Sequence, residues 1–283
     1  MIRLLRRGCG VLRDEGLIPF LRKSSAFVRG APRSCASRAF DRLYPRLPPV
    51  VVTYHFELRS RRRPDMSDAN PARPVWVDPR RIEHYQGSGP REFGLVVDGD
   101  WDDPECRFDE HPVYQSISSR FDDGTDWTDT ELYERYRERI RNGNPYWRCT
   151  TVEELEDYFE SIDRLHAEMC EDGYKTQREL LAEDPVQVRR QNTDAPHPIL
   201  QEIGVNIHRD GRLAKKGAGF HRLALARVIG VERVPVTVRV RHARWQSIRD
   251  EISRTTSPDR LSSRARERLD HPDLRDIVPN SWR

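Results

Sequence analysis

Late in the chain, Gly217-Ala218-Gly219-Phe220-His221-Arg222 places two glycines, an imidazole and a guanidinium within six positions, directly after Lys215 and Lys216. A glycine-spaced turn that opens a helix leaves the first backbone N–H groups unpaired and sets the positive end of the helix dipole behind them. Such a turn suits an anion. Gly219 permits close backbone approach, while His221 and Arg222 stand in the first helical turn, where their donors reach phosphate oxygens. Lys215 and Lys216 add charge from upstream. Taken alone, Gly-x-His-Arg is also how an ordinary helix can start, and the residues by themselves leave both readings open.

Other residues of chemical character are less concentrated. Arg241-His242 and Trp245-Gln246 close the following strand, where Arg241 and His242 can flank a ligand and Trp245 can instead anchor the strand end in the core. His208, beside a hairpin, reads as a surface or packing histidine. Asp98, Asp100, Asp102 and Asp103 imitate the start of a calcium loop, but the glycine expected next is Asp103 and the twelfth position is Asp109 rather than glutamate. A solvated acidic turn is the better reading, and no metal site is expected. No Ser/His/Asp or Cys/His set follows from sequence order.

The elements that must position the turn are regular. Thr150 and Thr151, with Glu153 and Glu154 three residues on, are two registers of a capping box. Val152, Leu155, Phe159, Ile162, Leu165 and Met169 then recur at spacings of three and four, and Gly173 ends the helix. Ile203 to Ile207 is a short strand, Asp210-Gly211 a hairpin dipeptide, and Arg212 to Lys215 its return. The turn follows, then a helix from Phe220 to Ile229 closed by Gly230. Val234, Val236, Val238 and Val240 alternate with Pro235, Thr237, Arg239 and Arg241, which predicts a strand with one buried face.

This order resembles the ParB/sulfiredoxin superfamily: a G-x-[HR]-R turn, a helix rich in small apolar residues, a glycine, and an I/V-P-V strand, here Gly219 through Val238. Leu155 to Tyr174 is similar to the family helix that ends in a glycine before the central strand. The resemblance covers 149–246, a third of the chain. It implies a nucleotide site in which Gly219, His221 and Arg222 hold the phosphates of CTP or ATP, with magnesium, and it brings phosphoryl transfer as a reaction class. Two departures matter. Phe220 stands where sulfiredoxins carry cysteine, and about forty residues after Gln246 are too few for a helix-turn-helix and a dimerisation module. The carboxylate that would orient an acceptor is not identifiable from the sequence.

The rest of the chain is read more coarsely. Residues 1–48 read as a basic arm of one or two short amphipathic helices, with breaks at Gly8, Gly10, Gly16 and Gly30, whose apolar face packs on the protein's own body or lies on a membrane surface, a solvated basic leader being the alternative. Positions 1–63 hold fifteen Lys and Arg against four Asp and Glu, although the whole chain is only +3. Nucleic acid or an anionic membrane surface is the partner this arm suits, so a DNA-associated module without catalysis and a peripheral membrane adaptor stand as alternatives. Residues 50–148 are an α/β accessory segment. Within it Val50–Leu58 is predicted as a strand, 59–73 as an exposed boundary loop, Pro74–Asp78 and Phe93–Val97 as strands, and Thr128-Asp-Thr-Glu131 as the cap of a helix stopped by Asn142-Gly143. Residues 247–283 are a helical tail.

Charged residues make up 34% of the chain, which predicts a highly charged surface. Cys9, Cys35, Cys106, Cys149 and Cys170 include no C-x-x-C pair and imply a reducing compartment. Neither a signal peptide nor a spanning helix is expected, so the cytoplasm is, with the arm allowing peripheral contact with a membrane. The fold class expected is mixed α/β (α+β): a small mixed sheet with flanking helices.

Overall fold

Valines at every second position of 234–240 build the longest strand, and the rest of the sheet is organised on it. The computed structural model describes residues 43–103, 106–145, 149–192 and 194–282. The chain divides into two units, Met1–Leu47 and Pro48–Arg283. Of the first, the described part is a 3-10 turn at Tyr44–Arg46; the expected arm helices, Cys9 and Cys35 lie outside the described residues.

The second unit is a mixed α/β fold. Its described strands are β1 (Val75–Val77), β2 (His84–Tyr85), β3 (Leu95–Val97), β4 (Cys106–Arg107), β5 (Ile203–Ile207), β6 (Leu213–Lys215) and β7 (Val234–His242). They form one sheet in the order β1-β7-β5-β6-β2-β4, with β3 also on β7. β1 runs antiparallel to the first half of β7, pairing Val75 with Val236, and β3 runs parallel to its second half, pairing Leu95 with Val240. On the other side β5 is parallel to β7, pairing Ile203 with Val236, and antiparallel to β6, pairing Val205 with Lys215. Strands from the 50–148 and 149–246 segments therefore share one sheet and one hydrophobic core.

The described helices are α1 (Pro49–Arg62), α2 (Pro112–Asp122), α3 (Glu131–Arg141), α4 (Val152–Asp172), α5 (Gln177–Glu183), α6 (Pro185–Gln191), α7 (Phe220–Ile229), α8 (Ala243–Arg254) and α9 (Ser263–Arg266). Helix α4 starts as expected: Thr151 Oγ accepts from the Glu154 N–H, the Glu154 carboxylate accepts from the Thr151 N–H, and Leu155, Phe159, Ile162 and Met169 are buried. Gly173 follows at φ 78°. The cap of α3 is Thr130, not Thr128; its Oγ accepts from the Tyr133 N–H. Leu132, Tyr133 and Tyr136 are buried on the expected face, and Asn142 ends the helix.

Three expectations are corrected. Val50–Leu58 lies in α1: Pro49 occupies the first helical position, and Val51, Val52 and Phe56 pack inward, so tertiary burial and a proline start override β-branched propensity. The stretch after it is not an exposed loop. Met66, Ser67 and Ala72 are buried, the Ser67 N–H donates to Gly94 O, and its hydroxyl donates to Gln246. Finally, β7 is buried on both faces. Val234, Val236 and Val238 join the apolar core, while Thr237, Arg239 and Arg241 are covered on the opposite side.

The C-terminal residues close that second face. Asp273 is buried and receives Arg241 Nε at 3.0 Å and Trp245 Nε1 at 2.9 Å. Arg249, fully buried, binds the Asp273 carbonyl, Asp68 and Asp276. Asp273 and Asp276 are thereby pinned to the end of β7 and to α8, and α8 through Arg249 to the loop after α1.

Candidate functional site

The turn between β6 and α7 is shaped by two glycines. Gly217 and Gly219 have φ of 74° and 88°, a region that L side chains rarely adopt. A Cβ on Gly219 would stand 2.9 Å from Ile203 Cα, and one on Gly217 would overlap the Arg239 guanidinium. The turn lies against the start of β5, where Gly204 N–H donates to Ala218 O and accepts, through its carbonyl, the Lys216 N–H. Gly219 is the left-handed N-cap of α7 and supplies no capping side chain. The backbone N–H groups of Phe220, His221 and Arg222 consequently have no hydrogen-bond partner among the described residues.

The side chains expected to assist are gathered here, each with partners inside the protein. Lys215 is fully buried; its Nζ donates to Gly217 O at 2.5 Å and lies 4.2 Å over the Phe220 ring. Burial pushes its pKa well below the usual lysine range, and the nearby Arg239, Arg222 and Lys216 push the same way. Lys216 points to the opposite face, where its ammonium donates to the carbonyls of Gln86, Gly87 and Ser88. It clamps that loop. His221 Nε2 pairs with the Tyr158 hydroxyl at 2.7 Å, and burial, reinforced by His111, Lys215 and Arg222, lowers its pKa to about 4. The imidazole is neutral at pH 7.

Arg222 is half sunk into the protein rather than free in a cleft. Its guanidinium donates to Gln201 O, to the Tyr174 hydroxyl at 3.2 Å and to Glu202 at 3.4 Å. Glu202 is buried and also accepts the Gln177 N–H at 2.5 Å. Desolvation raises its pKa to about 7, against the lowering pull of Arg222, and burial likewise raises the Tyr174 hydroxyl.

Sequence order does not reveal three of these neighbours. Glu202 and Tyr174 reach Arg222 only because α4 ends beside the start of β5. Arg239 stands in an alternating strand, where its position reads as a solvent-facing arginine; instead it is 8% exposed, stacks 4.4 Å over Phe93, and donates from Nη2 to Asp194 O at 3.1 Å. The signal that could have found it is the glycine at 217, whose missing Cβ is where the guanidinium lies.

Arg241 and His242 do not join the turn. Because β5 and β7 are parallel, Ile203, beside Gly219, pairs with Val236, whereas Arg241 pairs with Ile207 at the other end. Arg241 is bound to Asp273, and His242 donates from Nε2 to Gly99 O at 2.8 Å while stacking on Trp101.

No family model matches this chain, and no curated protein or solved structure matches it either.

Of the acidic group, Asp98 and Asp100 are exposed, but Asp102 is buried, which corrects the solvated reading at that position. Asp102 binds the Arg209 side chain and its N–H at 2.8 Å, and is held down to about 2 by these bonds against desolvation. His208 is a packing residue, edge-on to Trp101, with neither ring nitrogen hydrogen-bonded. Among the described residues no three His, Cys, Asp or Glu side chains converge as metal ligands, and no described helix is long and apolar enough to cross a membrane.

Proposed function

We propose that the chain binds a nucleoside triphosphate, CTP or ATP, through a phosphate seated on the N-terminus of α7. The observation that carries this reading is the set of three N–H groups behind Gly219 that lack protein partners at the positive end of a ten-residue helix. The resemblance of Gly219-Phe-His-Arg222 to the ParB/sulfiredoxin turn points to the same ligand. The guanidinium groups of Arg222 and Arg239 near the turn favour an anion over a neutral group.

In this reading Gly219 admits the phosphate to the backbone, and Arg222 supplies charge from behind while Glu202 keeps it in place. His221, neutral and tied to Tyr158, offers little charge of its own. A magnesium ion would arrive on the phosphates, since the turn presents cations rather than acidic ligands.

The test is calorimetric titration of the full chain with ATP, CTP and GTP in magnesium. At least one should bind with a dissociation constant below about 1 mM, equivalent to roughly 4 kcal/mol. Absence of heat and of any thermal stabilisation with all three nucleotides would overturn the proposal.

A further inference from the structure

We propose that residues 98–103 form an acid-released strap over the carboxyl ends of β3, β7 and β5, and that His208 is the group that releases it. The three strands are parallel neighbours. The strap leaves the end of β3, meets His242 at the end of β7 and reaches His208 and Arg209 just beyond β5. Three side chains hold it there. His242 donates from Nε2 to Gly99 O at 2.8 Å, Gln86 donates from Nε2 to Trp101 O at 3.0 Å, and the Arg209 guanidinium binds Asp100 and Asp102. Trp101 touches both imidazoles, stacked on His242 with centroids 5.7 Å apart and edge-on to His208 at 6.0 Å.

His208 is the weak point of this arrangement. It is 1% exposed and neither ring nitrogen has a hydrogen bond, so a proton there places a charge and a second N–H donor where no acceptor stands. The charged and titratable groups around it do not supply one. Asp102 is engaged by the Arg209 N–H and guanidinium, and Asp210 by Arg212. His84 and Arg212 oppose a positive charge at His208. His242 uses both of its nitrogens, since Nδ1 accepts the Arg244 N–H, and Asp98, Asp100 and Asp103 lie at the exposed surface. Burial therefore holds the His208 pKa at about 4, whereas lifting the strap admits water and returns it toward about 6.5. The open form binds the proton more tightly, so opening grows as pH falls between those values. Because most of the strap is already exposed, lifting it gives up few apolar contacts besides those of Trp101.

The experiment is amide hydrogen exchange on the full chain at pH 7 and pH 5, corrected for intrinsic rates. The informative amide is that of Arg209, whose hydrogen bond to Asp102 is lost when the strap lifts. Its protection should stand below that of the β7 amides at both pH values and should fall about twentyfold from pH 7 to pH 5, the ratio that one group with these two pKa values gives. His208→Phe, which keeps a ring against Trp101 and cannot take a proton, should reduce that fall to within about twofold. His208→Leu decides the matter if the phenylalanine variant does not fold. An Arg209 amide as protected as β7 at both pH values shows opening only with the whole fold and overturns the strap. A twentyfold fall that persists in the folded variants overturns the role of His208.

Discussion

At Arg222 the balance between ligand binding and structure is settled by what the guanidinium touches. It neutralises the buried Glu202, so Arg222→Ala leaves a desolvated carboxyl without its cation, a change of the kind that costs about 3 kcal/mol. The loss should depend on pH with a definite sign. With its partner gone the Glu202 pKa rises above about 7, so the carboxyl stays protonated and tolerable at pH 6 but resists ionisation at pH 8, where the unfolded chain holds it as carboxylate. Urea unfolding of Arg222→Ala should therefore show a larger deficit at pH 8 than at pH 6, and adding Glu202→Gln should recover much of it. Equal deficits at the two pH values would mean that Glu202 is not what Arg222 stabilises. The free-cleft role expected for Arg222 does not allow for this partner, because nothing in the spacing of residues 202 and 222 announces a contact between a strand start and a helix start.

Elements were legible where local chemistry and tertiary packing agree. Helix α4 has a capping box, a three-four apolar repeat and a terminal glycine, all local, and its bounds follow from them. The β5-turn-β6 hairpin and α7 are similarly marked by Asp210-Gly211, Gly219 and Gly230. Helix α1 was not legible, since Val50 to Thr53 favour a strand by propensity and only the packing of Val51, Val52 and Phe56 makes the helix. The same holds for the covered outer face of β7, which depends on Asp273, thirty-two residues beyond Arg241. The turn glycine gives the test at this scale. Gly219→Ala adds a Cβ 2.9 Å from backbone at Ile203 and forces alanine to φ 88°, so it should destabilise the fold by at least about 2 kcal/mol. Thermal unfolding that matches wild type would show that the turn relaxes without its glycine.

Over the whole molecule the histidines dominate the response to acid. Burial holds His111, His208, His221 and His271 at about 4, below the ordinary value near 6.5. The unfolded chain therefore binds more protons than the folded one between roughly pH 6.5 and 4, and stability falls as pH drops through that window. Glu202 works in the opposite direction: raised to about 7, it binds its proton first in the folded state and adds stability as pH falls toward its ordinary range. His55 and His166 are lowered by burial as well, so six imidazoles oppose one carboxyl, each fully shifted group adding about 1.4 kcal/mol per pH unit, reduced by the partial exposure of His111 and His221. Against a usual total of about 5–15 kcal/mol, the protein should lose its fold before pH 4, while Asp102, held at about 2, is still ionised. His208→Leu isolates one of the six. Its ring nitrogens have no hydrogen bonds to lose, so the variant should match or exceed wild-type stability at pH 7 and show a shallower decline toward pH 5. A urea midpoint that stays level from pH 7 to 5 in wild type, or an unchanged slope in His208→Leu, would place the acid sensitivity elsewhere than in these buried imidazoles.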